Sequence, residues 1–169
     1  MMNQRTAGHL QFLSFSLGRE TFAVEVLKAR EVLDYIEPTE VPQMPPELLG
    51  VINLRGRVVP IIDLRRKFGL PSAPRSRDNC IIILEVKIGG EKTVVGAVAD
   101  AVREVLTLNP EQIEPPPKIG TRLNSEFLRG MGKRGEELII LLEVDRIFAA
   151  DELNLFQERT DNFSAGETA

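Results

Sequence analysis

Apolar and polar residues alternate along most of this chain. Leu13, Phe15 and Leu17 alternate with serines, and Phe22, Val24 and Val26 alternate with Thr21, Ala23 and Glu25. A period of two belongs to half-buried strands. Gly18-Arg19 between the two runs predicts a turn, so the chain opens on a hairpin. Residues 81–88 and 93–98 flank Gly89-Gly90 as a second hairpin, with 100–106 as a further strand. Residues 51–54 and 58–62 flank Arg55-Gly56 as a third. The plan repeats in Phe127-Leu128 and 138–142, with the glycine-rich 130–135 between them as the predicted turn. Pro60 inside a strand pattern predicts an edge strand or a barrel corner, because proline donates no ladder hydrogen bond.

Helical spacing is scarce. Pro45-Pro46-Glu47-Leu48-Leu49 predicts a single turn ended by Gly50. Residues 64–68 predict a short helix stopped at Gly69, with basic residues in its last turn. Val144, Ile147 and Phe148, with Leu155 beyond, form an apolar stripe at helical spacing. The polar tail after Gln157 is expected to be disordered. The stretch 71–78, rich in Pro, Ser and Arg, is the natural seam between two halves.

The halves resemble each other. Leu17-Gly18-Arg19-Glu20-Thr21, running on to Arg30-Glu31-Val32-Leu33, returns as Ile88-Gly89-Gly90-Glu91-Lys92-Thr93, running on to Arg103-Glu104-Val105-Leu106. Leu54-Arg55-Gly56 returns as Leu128-Arg129-Gly130, and proline-rich connectors, 38–46 and 110–117, separate the matching parts. A separation of about seventy residues is too long for a solenoid repeat of roughly 20 to 50. The pattern reads as one small domain duplicated, which points to a binding module. In this alignment Asn53 matches Phe127, and Gly50-Val51 match Asn124-Ser125, so Asn-x-Arg-Gly belongs to one copy only.

With 169 residues the chain holds one ordinary domain or two small ones sharing a core. A net charge of -4 argues against nucleic acid as the default partner. The longest apolar runs, 80–84 and 138–142, are strand-length, and nothing at the amino terminus reads as a signal peptide, so a soluble cytoplasmic protein is expected. One cysteine and one histidine make neither an internal disulfide nor the usual zinc site. Cys80 reads as a small buried hydrophobe, and His9 is given no role.

Two stretches mimic phosphate-binding loops, Gly89-Gly90-Glu91-Lys92-Thr93 and Gly130-Met131-Gly132-Lys133-Arg134. Each lacks the earlier glycine and joins two strands, so both read as hairpin turns. No nucleophile elbow is present, and Asp34, Asp63, Glu143 and Asp145 read as strand-end and helix-start residues rather than an acid-base pair. No catalysis and no cofactor are expected. The locally basic 55–77, with Arg57, Arg65, Arg66, Lys67 and Arg75 against Asp63, reads as a solvated face or a patch for an acidic protein. A single-stranded nucleic-acid binder is the rival from another class, though base-stacking aromatics are scarce.

The stretch 50–64, Gly-Val-Ile-Asn-Leu-Arg-Gly-Arg-Val-Val-Pro-Ile-Ile-Asp-Leu, closely resembles the signature of the CheW family, the coupling proteins of bacterial chemosensory arrays. The resemblance extends from the Phe-x-Leu-Gly opening at Phe15 to Gly18, through Arg30-Glu31-Val32, to the strand at 138–142 and its following helix. It implies an all-β fold of two intertwined SH3-like five-stranded β-barrels with short helices and a carboxy-terminal helix. The CheW-like domain would span 9–158. The first barrel would take about 15–77 plus a helix at 144–156, the second about 79–142, and 159–169 would be a disordered tail.

What the resemblance implies about function is a non-catalytic adaptor, joining the cytoplasmic tip of a chemoreceptor to the regulatory domain of a chemotaxis histidine kinase. Nucleic acid would play no part, and contact with a membrane would be indirect, through receptors. Arg55 and Glu31, with Asn53 and Gly56 of the motif, would lie near the receptor-binding groove, and Ala29, Val32 and Ile81 would lie near the same surface. The same fold in a chemosensory pathway for twitching or gliding motility is the alternative. The more basic seam at 71–77 departs from the family pattern at the rim of the groove.

Overall fold

Alternating runs become strands, and Gly18-Arg19, Arg55-Gly56 and Gly89-Gly90 become turns, in the computed structural model, which describes residues 10–116 and 125–148. The strands are β1 (Leu10–Leu17), β2 (Glu20–Glu25), β3 (Ala29–Asp34), β4 (Leu48–Leu54), β5 (Arg57–Asp63), β6 (Cys80–Ile88), β7 (Glu91–Ala99), β8 (Ala101–Leu108), β9 (Ile113–Glu114), β10 (Leu128–Arg134) and β11 (Glu137–Leu142). Two four-residue helices follow β5 and β11, α1 (Leu64–Lys67) and α2 (Val144–Ile147). A 3-10 turn, Val26–Lys28, joins β2 to β3. The fold is all-β, as the alternation predicts. His9, Leu155, the remainder of a helix to 156, the polar tail and the outer bounds of a 9–158 domain lie outside the described residues.

The strands form two sheets, in the orders β8-β1-β2-β11-β10-β9 and β3-β6-β7-β5-β4. Each sheet therefore draws on both halves of the chain. The hairpin β1-β2 of the first half sits between β8 and β11 of the second, and the hairpin β6-β7 of the second sits between β3 and β5 of the first. The exchange is reciprocal down to strand direction. The one parallel pairing in each sheet joins an inserted hairpin to its host, β11 with β2 and β5 with β7. A duplicated sequence whose copies trade hairpins cannot be cut at the seam into two separate sheets.

Apolar side chains fill three layers. The central one lies between the sheets and includes Phe15, Phe22, Ile62, Ile82, Leu84, Ala97 and Leu142, together with Val144, Ile147 and Phe148 from α2 and its end. On its other face each sheet has a cluster of its own, Phe12, Ala23, Leu106, Leu108, Ile139 and Leu141 in one, and Ile52, Val59, Ile61, Ile81, Ile83 and Val98 in the other. Burial on both faces explains the unbroken apolar runs at 80–84 and 139–142, while Leu138, at the start of the second run, is exposed. The stripe at helical spacing does end buried, and α2 packs against β6. Helix α1 starts where the Asp63 carboxylate accepts the Arg65 N–H at 2.9 Å and stops at Gly69, whose φ is +71°.

Four expectations need correction. Residues 45–49 form a turn running into β4, with the Leu48 N–H donating to the Pro45 carbonyl, and Leu48 to Gly50 are strand. Gly130-Met131-Gly132-Lys133-Arg134 is strand too, and the turn is Gly135-Glu136. Its glycines serve close approach rather than turning: a Cβ at Gly130 would sit 2.7 Å from the Glu114 carbonyl oxygen, and one at Gly132 would sit 2.9 Å from Leu108 Cδ1. Pro60 lies in β5, an interior strand, but β5 meets β7 only from Ile61 onward, so no ladder bond on that side is lost at Pro60.

The fourth concerns the repeat. Leu48↔Ile62 and Gly50↔Ile61 bracket a bulge in the β4-β5 hairpin, and Leu128↔Leu142 and Gly130↔Leu141 bracket the same bulge in β10-β11. Gly50, like Gly130, has no room for a Cβ, which would meet the Thr39 carbonyl oxygen at 2.1 Å. The structural counterpart of Leu128-Arg129-Gly130 is therefore Leu48-Leu49-Gly50, and Asn53 matches Lys133 rather than Phe127.

Candidate protein-docking surface

The β4-β5 hairpin turns on two residues, Arg55 at φ +50° and Gly56 at φ +85°. Two left-handed residues in succession make the tight turn that suits a twisted hairpin, and Asn or Gly is the usual occupant of the first position. Arginine there is strained, and such strain is found preferentially at functional sites. Asn53 braces the turn: its Oδ1 accepts the Gly56 N–H at 2.8 Å. Asn53, Arg55 and Gly56 thus form one local device, whose product is an arginine held out at a tip.

Arg55 reaches Glu31 on β3, the edge strand of the same sheet, through a hydrogen-bonded ion pair. The bond to Glu31 holds the guanidinium above its ordinary pKa. Glu31 stands opposite Ile83, and directly opposed residues share a face, so it lies over the sheet's own apolar cluster. The pair spans from the β3 edge to the hairpin tip across the rim of that cluster. Arg55 stays largely exposed, its side chain at 70%.

The other predicted residues divide. Val32 stands opposite Ile82, and Ala29 opposite Leu84, so both lie on the face toward the central layer, where Ala29 is part-buried and Val32 is exposed. Ile81 is fully buried within the sheet's cluster. Its assignment to a docking surface is corrected accordingly: it supports β3 from within and offers no surface. Val58, opposite Asn53, and Ile36 add exposed apolar area on this half of the molecule. Those two residues were not anticipated, since exposure at an alternating strand position cannot be told from pattern alone.

A second pair mirrors the first. Glu104 on β8 accepts a hydrogen bond from Arg134, at the end of β10, at 3.0 Å. This bond holds the Glu104 carboxyl below its usual range and the Arg134 guanidinium above its own. Val105 and Leu138, the counterparts of Val32 and Val58, are exposed as well. The repeated Arg-Glu-Val-Leu carried this signal in the sequence, while the misaligned second hairpin hid Arg134.

The basic stretch is neutralised largely from within. Arg65 makes a two-pronged bond to Asp100, at 3.0 and 2.6 Å, Arg66 and Arg75 face Asp63, and the Arg75 guanidinium stacks on the Tyr35 ring. Burial pushes the Cys80 thiol pKa up, as befits an unreactive core residue. Among the described residues, no group of His, Cys, Asp and Glu side chains is arranged to hold a metal ion. None of the described helices is long and apolar enough to cross a membrane.

Comparison with known proteins bears on this arrangement. Residues 11–152 match the family model described as the CheW-like domain. The chain is 38% identical over 145 residues to the chemotaxis protein CheW of Klebsiella aerogenes, covering 86% of this chain and 85% of that protein. It is 34% identical over 147 residues to the chemotaxis protein CheW of Rhizobium meliloti, with 87% and 92% covered. Among solved structures it is similar to the scaffolding protein TtCheW of Thermoanaerobacter tengcongensis, with a TM-score of 0.74, 34% identity, and 82% of this chain and 87% of that one covered.

Proposed function

The chain belongs to the CheW-like family, whose members are scaffolding adaptors of chemotaxis, and from that premise we propose that it couples a chemoreceptor's cytoplasmic tip to the regulatory domain of a chemotaxis histidine kinase. The protein is a chemotaxis adaptor, and on this reading it works in the cytoplasm and joins its partners without catalysis. An adaptor of this kind breaks no bonds. It sets the geometry of two partners and so links their equilibria.

The observation that carries the reading is Arg55: a long cation held at a strained hairpin tip, braced by Asn53, joined to Glu31 and left exposed. Arginine is enriched among residues that dominate binding energy, and a planar guanidinium with one face paired still offers donors to a partner. The internal pairing of Arg65, Arg66 and Arg75 weighs against the nucleic-acid reading, which would need those cations free for phosphate.

Charge reversal tests the proposal. Arg55→Glu or Glu31→Arg is expected to lower affinity for kinase and receptor by roughly thirtyfold with the thermal melt unchanged. The double reversal rebuilds the ion pair but presents the opposite charge at the tip, so assembly should stay lost. Full recovery of assembly in the double variant would reduce Arg55 and Glu31 to an internal surface pair and remove them from the docking surface.

A further inference from the structure

The two hairpins that the halves exchange are each held by a part-buried ion pair, and the two pairs have opposite polarity. In one, Arg65 from α1 binds Asp100 at the β7-β8 junction, and Asp100 also accepts the Gly18 N–H of the β1-β2 turn at 2.7 Å. In the other, Asp145 from α2 binds Lys28 at the β2-β3 junction, and Asp145 also accepts the Lys87 N–H of the β6-β7 hairpin at 2.9 Å. Arg65 and Asp145 are each the second residue of the helix that ends their copy, and Asp100 and Lys28 each lie between their copy's second and third strands. The cation comes from the helix in one latch and from the strand junction in the other. In both, the carboxylate also ties down a backbone N–H of the exchanged hairpin, whichever element supplies it.

All four side chains are between 16% and 28% exposed, unlike Arg55, so these pairs are shielded from solvent competition. Lys28 directly precedes β3, the strand that carries Ala29, Glu31 and Val32. The same 3-10 turn bears Leu27, which is 92% exposed.

We propose that Lys28 and Asp145 are positioning residues for the docking surface: their latch fixes the β2-β3 junction and the β6-β7 hairpin together, and thereby sets where β3 presents Glu31 to partners. The inference rests on the adaptor reading for its functional consequence, though the latch itself does not depend on it. Interchangeable polarity is its distinguishing consequence. A Lys28→Asp, Asp145→Arg double variant would restore an ion pair in this half, with the polarity that Arg65 and Asp100 already show in the other.

The full chain is compared with Lys28→Asp, Asp145→Arg, the double variant and Asp145→Ala. Amide exchange at Lys87, the melting temperature, and co-sedimentation with histidine kinase and receptor-containing membranes are measured for each. Asp145→Arg and Asp145→Ala, which remove the acceptor of the Lys87 N–H, are expected to speed exchange there tenfold or more. Every single variant is expected to lower the melting temperature and weaken co-sedimentation, with the fold retained by circular dichroism, and the double variant is expected to recover both. Exchange at Lys87 that is unchanged in Asp145→Ala, or a melting temperature not recovered in the double variant, would overturn the latch. A recovered melting temperature without recovered co-sedimentation would overturn the positioning role. If the unaltered chain failed to bring down kinase, the adaptor reading would fall, while exchange at Lys87 would still judge the latch.

Discussion

At Gly50 a Cβ would lie 2.1 Å from the Thr39 carbonyl oxygen, and φ is +147°, so no side chain fits the space or the backbone. Gly89 also has positive φ, at +59°, but nothing lies within 4 Å of its Cβ position. Gly50→Ala is therefore expected to cost several kcal/mol and Gly89→Ala only about 1 kcal/mol. Urea melts of the two variants check this, and equal losses would contradict the close approach at Thr39. Asp100 gives a second test. Burial pushes its carboxyl pKa up, but hydrogen bonds from Arg65 and from the Gly18 N–H outweigh burial and hold it below the ordinary value. Because the folded pKa is the lower one, the stabilisation is complete above the unfolded value, about 3.9, and is lost as pH falls through the folded pKa. Asp100→Asn should therefore melt below the unaltered chain at pH 7, with the gap narrowing once pH falls below the unfolded value. A gap that stayed constant down to pH 2 would contradict the pairing.

Helix α2 and its end put Val144, Ile147 and Phe148 into the layer between the sheets, alongside Phe15 and Phe22. Truncation after Leu142 removes side chains worth roughly 1.5 to 3 kcal/mol each, so it should loosen β1 and β2, strands far away in sequence. Faster amide exchange in residues 15–26 is the expected result, and unchanged exchange would refute the packing. Elements of this kind were legible beforehand, because periodicity and turn glycines are local: Gly18-Arg19, Gly89-Gly90, Arg55-Gly56 and Gly69 all act where they were expected. What failed depended on contacts distant in sequence. Gly130 and Gly132 look like turn residues until Glu114 and Leu108 are seen to need the room. Leu48-Leu49-Gly50 looks helical until Ile62 and Thr39 pull it into a sheet. Of the candidate site, the Asn53-Arg55-Gly56 turn is readable in the sequence, and Glu31 is the residue the structure pairs with Arg55. Burial of Ile81 on both sides of β6 is not readable there, since its run of apolar neighbours does not say which faces are covered.

The whole molecule is set by the reciprocal exchange of hairpins. Fragments 1–78 and 79–169 each lack the strands that flank their own first hairpin, so neither should show a cooperative melt alone, while an equimolar mixture should recover one. Cooperative melting of either fragment by itself would contradict the exchange. The same interlocking serves an adaptor, because two related faces become parts of one body and a partner on one is held in fixed relation to a partner on the other. That coupling is the central claim, and co-sedimentation tests it most directly. Histidine kinase is mixed with receptor-containing membranes and spun down with the unaltered chain, with Arg55→Glu, or with neither. Kinase is expected in the pellet only when the unaltered chain is present; kinase that remains in the supernatant with it, or pellets equally well without it, would rule the coupling out.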